Sequence, residues 1–277
     1  MHMQEQPDKP PNIVEIGRCL EAAASPDLPL VGQLFASQEI DAIRKIQSCW
    51  TSETAVELTQ GFAFMKAELQ YLQAQWSACD RSDHAALETF RGVFVTMMQG
   101  CDRGCEAALP MLSAIEESIR VVDTNFASLH PVLSAEVEKA YTKINQLFAK
   151  YGFKRDPSDA DIVRALGIYA TVESIAAVKA AIERVKVELS TAVNAAKALG
   201  DTAAYVTSAN SLLKAAMGDV DNIAVASKTA LTAAEKGEDL DDDLLTIEID
   251  TLFKHEIPQI VTLCTQEIGD AADRTTT

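Results

Sequence analysis

The chain is short of the residues that carry out chemistry. It has four histidines, at positions 2, 84, 130 and 255. A helical HExxH zinc site is excluded, because His255-Glu256-Ile257-Pro258-Gln259 lacks the second histidine and puts a proline inside the helix such a site needs. No Glu-x-x-His pair exists, which removes the carboxylate–histidine di-iron centre of four-helix bundles. The GxSxG elbow, the P-loop and GxGxxG are missing too, and with them acyl transfer and phosphate cradling of the familiar kinds. Asp80 and His84, four apart, read as a helix-surface pair. The expectation is a chain with no catalytic residue, no cofactor and no bound metal, and not an enzyme.

Basic charge is scarce as well. The formal net charge is −17, and basic runs are no longer than a pair such as Lys154-Arg155. Phosphate recognition needs a basic patch, so no nucleic acid is expected as a partner. Nothing approaches the 18 or so uninterrupted apolar residues of a membrane span. Met1 to Pro11 is polar and proline-rich, without the apolar stretch of a signal peptide. We expect a soluble chain, cytoplasmic or exported by a route that reads no signal peptide. Six cysteines (19, 49, 79, 101, 105 and 264) form neither a disulfide framework nor paired CxxC zinc motifs, so buried free thiols are expected. The acidic stretch Glu238 to Asp243 lacks the spaced pattern and closing glutamate of a calcium loop and reads as a linker opening a helix.

Strands are missing from the pattern, since no segment alternates apolar and polar residues for long enough. Prolines are confined to 7, 10, 11, 26, 29, 110, 131, 157 and 258, which leaves 30–109 and 158–257 free for long helices.

What is present is a seven-residue apolar repeat. One seam runs through Ile168, Ile175, Ile182, Leu189, Ala196, Ala203, Asn210, Met217, Ala224 and Leu231. The other runs through Thr171, Val178, Val185, Ala192, Leu199, Val206, Leu213, Val220, Ser227 and Ala234. A 3–4 spacing keeps one helical face apolar, so the repeat predicts a helix from about 159 to 236, roughly 110 Å long if straight. Gly200 and Gly218 are places where it would bend or split. Seams at 58–97 and 112–129 supply faces to pack against it. Small seam residues favour an internal stalk over a dimeric zipper, with Asn210 setting register or marking a wetter site.

The remaining elements follow from breakers and caps. A short helix is predicted at 12–24, broken by Ser25-Pro26-Asp27-Leu28-Pro29. A second begins near Ser37 and runs to Cys79, and a third covers about 83–128 with a kink near Gly100, Gly104 and Pro110. His130-Pro131 turns the chain into a helix at 132–151, and Gly152 caps it before Ser158 opens the next. The fold expected is all-α: an elongated bundle of five or six helices with a long antiparallel coiled-coil stalk. The expected organisation is a flexible 1–36 with a short helix, one bundle over 37–272 with its tip at about 126–158, and a disordered tail at 273–277.

One compositional shift marks that tip. Phe126, Tyr141, Phe148, Tyr151 and Phe153 crowd near Lys143, Lys150, Lys154 and Arg155 in an otherwise acidic chain. Two readings stand: a hydrophobic cap closing the bundle end, or an interfacial foot with rings at headgroup level and basic groups near phosphate. Phe126, Tyr141, Phe148, Tyr151, Phe153, Lys154 and Arg155 are the candidate tip and interface residues.

A long helix, a short amphipathic excursion near 126–156 and a returning heptad helix resemble the α-helical pore-forming cytolysins. These are cytolysin A, the haemolysin BL and Nhe components, and the xenorhabdolysins. The resemblance is architectural and covers about residues 37–270. It implies an apolar head, whereas Val121-Val122, Phe126 and Leu147-Phe148 are interrupted by Asp123, His130 and Lys143. That pattern suits a soluble partner subunit of a multi-component system. The first expectation is a non-catalytic interaction or scaffold protein acting through helix faces. The alternative is a soluble subunit of a multi-component α-helical pore-forming toxin whose tip contacts membrane or a partner subunit. Either way the partners are proteins, homologous subunits among them.

Overall fold

The computed structural model describes residues 11–236 and 241–269. The expected disordered tail lies outside them, as do residues 1–10 of the expected flexible start and part of the acidic linker. Among the described residues the chain is all-α. It comprises α1 (Asn12–Ala24), α2 (Leu30–Cys49), a π-helical segment (Trp50–Thr54), α3 (Ala55–Ala78), α4 (His84–Tyr151), α5 (Asp159–Leu166) and a 3₁₀ turn (Gly167–Tyr169). Then follow α6 (Val172–Lys236), α7 (Asp242–Lys254) and α8 (Glu256–Ile268). Because α2 runs through the π segment into α3, and α7 meets α8 at His255, the described residues make six helical runs, within the five or six expected though with different bounds.

Two predicted boundaries are corrected. First, α2 starts at Leu30 rather than near Ser37: Pro29 supplies the first carbonyl, which accepts from the Gln33 N–H at 3.0 Å. Second, α4 runs unbroken through Pro110 and Pro131, with no turn at His130-Pro131. A helix-interior proline costs about 3 kcal/mol. Each here lies between two buried residues seven apart on one face, Cys105 and Leu112, then Phe126 and Leu133. Burial of such side chains is worth roughly 1.5–3 kcal/mol apiece, enough to outweigh the break.

The repeat in α6 is buried on a face rotated from the expected one. The second seam is the true one: Val178, Ala192, Leu199, Val206, Leu213, Val220, Ser227 and Ala234 are all buried. Its companions are Ala195, Thr202, Ala209, Ala216, Ile223 and Ala230, one position before most of the seam expected to accompany it. Gly200 and Gly218 interrupt nothing, since both are exposed and α6 continues through them.

Cα proximity divides the chain into two units. The first takes residues up to Glu21, Arg44–Arg120 and the chain from Thr207. Within it α4 and α6 are antiparallel, as ion pairs Lys214–Glu116 (3.7 Å) and Lys228–Asp102 (3.4 Å) show: one partner's number rises as the other's falls. Trp76, Phe90, Phe94 and Phe253 form an aromatic cluster, with the Trp76 indole N–H donating to Asp250 at 2.8 Å. Asp80 accepts from Ser82 inside its own turn, while His84 pairs with Asp242 of α7 at 2.6 Å, so the expected Asp80–His84 pair does not form. Asp241 caps α7, its side chain accepting from the Leu244 N–H at 2.9 Å. This fits the acidic residues expected to open that helix.

The second unit takes Ala22–Ile43 and Val121–Val206. Gly32 of α2 lies against Ala195 of α6, so that a Cβ there would come within 3.4 Å of the Ala195 Cβ. Lys143 of α4 donates to Glu188 of α6 at 2.7 Å, and this bond holds the Glu188 carboxyl below its usual range. The same unit holds the candidate site.

Candidate functional site at the helical tip

The turn after α4 is built by its sequence. Gly152 takes a left-handed φ of 71°, which a side chain would oppose. The Phe153 N–H donates to the Phe148 carbonyl at 2.9 Å and the Gly152 N–H to that of Ala149 at 3.2 Å. This is the double bond of a Schellman cap, and its usual apolar contact is present as Phe148 against Phe153. Tyr151 stacks on Phe153 at 5.7 Å, and the Lys150 Nζ sits 5.4 Å from the Tyr151 ring.

Ser158 and Asp161 then open α5 with a reciprocal capping box. Two hydrogen bonds from Ser158 hold the Asp161 carboxyl below its usual range. Ile162 of α5 packs with Val178 and Ile182 of α6, and Leu147, Phe148, Tyr151, Phe153, Leu166 and Ile175 close around them. Of the candidate tip residues, Phe148, Tyr151 and Phe153 are therefore brought together. Lys154 and Arg155 line the adjoining pocket of about 510 Å³, with Tyr151, Phe153 and Arg164. Phe126 is buried in the α4 seam and Tyr141 stands half-exposed, both outside that cluster.

The long helix does not begin at 159, as the repeat predicted. Gly167, at φ 55°, ends α5, and a second reciprocal cap restarts the helix: the Thr171 N–H donates to Ser174 Oγ at 2.8 Å and the Ser174 N–H to Thr171 Oγ1 at 3.1 Å. Ser174 Oγ also donates to the Tyr169 carbonyl at 2.8 Å. This polar lacing holds an apex whose side chains face water: Ile168 is 92%, Tyr169 75% and Val172 81% exposed. Heptad reading placed Ile168 and Thr171 in the buried seams and so missed the apex. Two signals mark it, a glycine stop at Gly167 and the Thr171-x-x-Ser174 restart.

No family model matches the chain, and no characterised protein matches it by sequence. Solved structures do match. Soluble SmhA of the tripartite α-pore-forming toxin Smh from Serratia marcescens aligns over 95% of this chain and 92% of its own, at TM-score 0.53 and 11% identity. The SmhB pore of the same toxin aligns over 95% of this chain and 97% of its own, at TM-score 0.51 and 8% identity. The chain has the α-pore-forming toxin fold.

That finding corrects the expectation of a scaffold protein. SmhA and SmhB, which share its architecture, belong to a tripartite pore-forming toxin, and they favour the alternative reading. No helix among the described residues is long and apolar enough to cross a membrane.

Proposed function

We propose that the protein is a subunit of a multi-component α-helical pore-forming toxin, working with homologous subunits, and that its aromatic and basic tip is the surface that meets the membrane. The observation that carries the reading is the apex Ile168-Tyr169, held open by the Thr171–Ser174 cap on a chain of pore-toxin fold. Apolar side chains held in water forgo roughly 25 cal/mol per Å2, a cost that docking at an interface recovers. Phe148, Tyr151 and Phe153 pack around the Ile162 core together with Leu166 and Ile175, which flank the apex in sequence, and Phe126 and Tyr141 lie earlier on α4. The role is non-catalytic, and export from the producing cell in a water-soluble form would precede assembly.

The test is release of dye from liposomes by the purified chain, alone and with the products of neighbouring genes, alongside electron microscopy of detergent-treated mixtures. Release and ring-like oligomers with the right companion are expected. Absence of both in every combination would overturn the proposal.

A further inference from the structure

The tip reverses the charge of the chain. Between Lys143 and Glu188 stand eight lysines and arginines against six carboxylates, in a protein of net charge −17. Those carboxylates are largely engaged. Asp156 accepts from Lys186 at 2.6 Å, Asp159 from Lys179 at 2.6 Å and Glu188 from Lys143 at 2.7 Å. Glu183 shares Lys186 at 3.3 Å. Asp161, which also lines the pocket, is turned to Ser158, with the Arg164 Nη1 3.5 Å from its other oxygen.

Three cations line the pocket, which reaches Ala165 three residues before the apex: Lys154, Arg155 and Arg164. All three are exposed, and the side chains of Lys154 and Arg155 form no ion pair among the described residues. Tyr151, Phe153 and Pro157 give the same pocket an apolar wall. Val163, an exposed apolar side chain, is the neighbour of Arg164 on α5, and Ile168 follows Arg164 by four residues, across the turn at Gly167. Cations suited to phosphate oxygens therefore adjoin side chains suited to the acyl boundary.

We infer that this pocket receives the phosphate of an anionic phospholipid headgroup, through Lys154, Arg155 and Arg164, while Ile168 and Tyr169 enter the interface beside it. The inference rests on the reading above that the tip meets a membrane, and it adds which membrane. Charge complementarity selects the occupant: a neutral surface would make no use of three cations, and the rest of the chain is repelled by an anionic one. The tip must thus supply the whole of the attraction, and it orients the protein by doing so.

The test is flotation of the full-length chain with phosphatidylcholine vesicles, with and without phosphatidylserine, at low and high salt. Three basic residues near an anionic surface predict binding roughly a hundredfold tighter to the serine-containing vesicles, weakened by salt. The variant Lys154→Gln/Arg155→Gln/Arg164→Gln, at exposed sites that leave helical circular dichroism unchanged, is expected to lose that preference and keep the weaker binding to phosphatidylcholine. The variant Ile168→Ser/Tyr169→Ser is expected to lose binding to both. Equal binding of the native chain to both vesicle types, with dye release intact, would overturn the anionic pocket and leave the pore reading standing. Displacement by inorganic phosphate at matched ionic strength would assign the pocket to a soluble phosphate instead, and loss of self-association in the triple variant would assign it to a second copy. Either result overturns the lipid. Failure of the chain to float with any vesicle would overturn the lipid pocket, while the subunit reading stands or falls on dye release with its companions.

Discussion

Phe153 stands edge-on to Phe148, ring centroids 6.1 Å apart at 85°, across the left-handed Gly152. The contact completes the cap that ends α4 ahead of α5. Gly152→Ala would hold a Cβ in the left-handed region, at about 1–2 kcal/mol. Nothing else obstructs the site, since beyond Gly152 and its two chain neighbours no part of the fold lies within 4 Å of the added carbon. Urea denaturation is expected to show that loss, with hydrogen exchange quickened around 148–162. An unchanged midpoint would mean that the cap does not constrain the tip.

A second interaction ties the start of the described chain to its end. The Asn12 side-chain amide donates to Glu267 Oε1 at 2.7 Å, with both residues buried. Asn12→Ala removes that donor from a buried carboxylate, which costs about 1–3 kcal/mol. Faster hydrogen exchange across α1 is expected, ahead of exchange in α4. Uniform acceleration over the whole chain would contradict a local latch.

The His84–Asp242 bond gives stability a dependence on pH. The Asp242 carboxylate raises the His84 pKa, by hydrogen bond first and by charge second, and Glu88 and Asp83 add to it. A raised histidine pKa contributes stability that is complete below the unfolded value of about 6.5 and lost as pH rises through the folded value. Melting temperature should therefore fall slightly on going from mildly acidic to mildly alkaline buffer. His84→Gln should flatten that slope, and an unaltered slope would exclude the pair as its source.

Thiol reactivity follows burial. Loss of solvation pushes Cys101 up to about 11 and both Cys105 and Cys264 up to about 12. Thiolate is the reactive form, so these three should resist an aromatic disulfide reagent near pH 8 until the chain unfolds. Exposed Cys49 should react at once. Early labelling of Cys264, read by mass spectrometry, would show that α8 opens in the native state.

Much of this architecture is legible in the residues. Val178 to Ala234 at intervals of seven names a buried seam of α6, and Gly152 with Ser158 names the turn. The helix through Pro131 was hidden, because local chemistry argues for a break there and only the tertiary burial of Phe126 and Leu133 overrides it. Periodicity also concealed the apex. Ile168 fits the repeat in spacing, yet spacing is silent on whether the helix has begun, and Gly167 had ended the previous one. At the tip, the aromatic clustering of Phe148, Tyr151 and Phe153 follows from their closeness in sequence. The exposure of Tyr169 rests on hydrogen bonds to Ser174 that only the folded turn reveals.

Ile168 and Tyr169, at the exposed apex, are the residues through which the proposed toxin subunit would work. The most direct measurement is the rate of dye release from liposomes by the native chain plus its companion subunits, compared with Ile168→Ser/Tyr169→Ser. Burying an isoleucine is worth roughly 1.5–3 kcal/mol, so release at least about tenfold slower is expected for the variant, with its melting temperature unchanged. Equal rates for the two proteins would contradict that role.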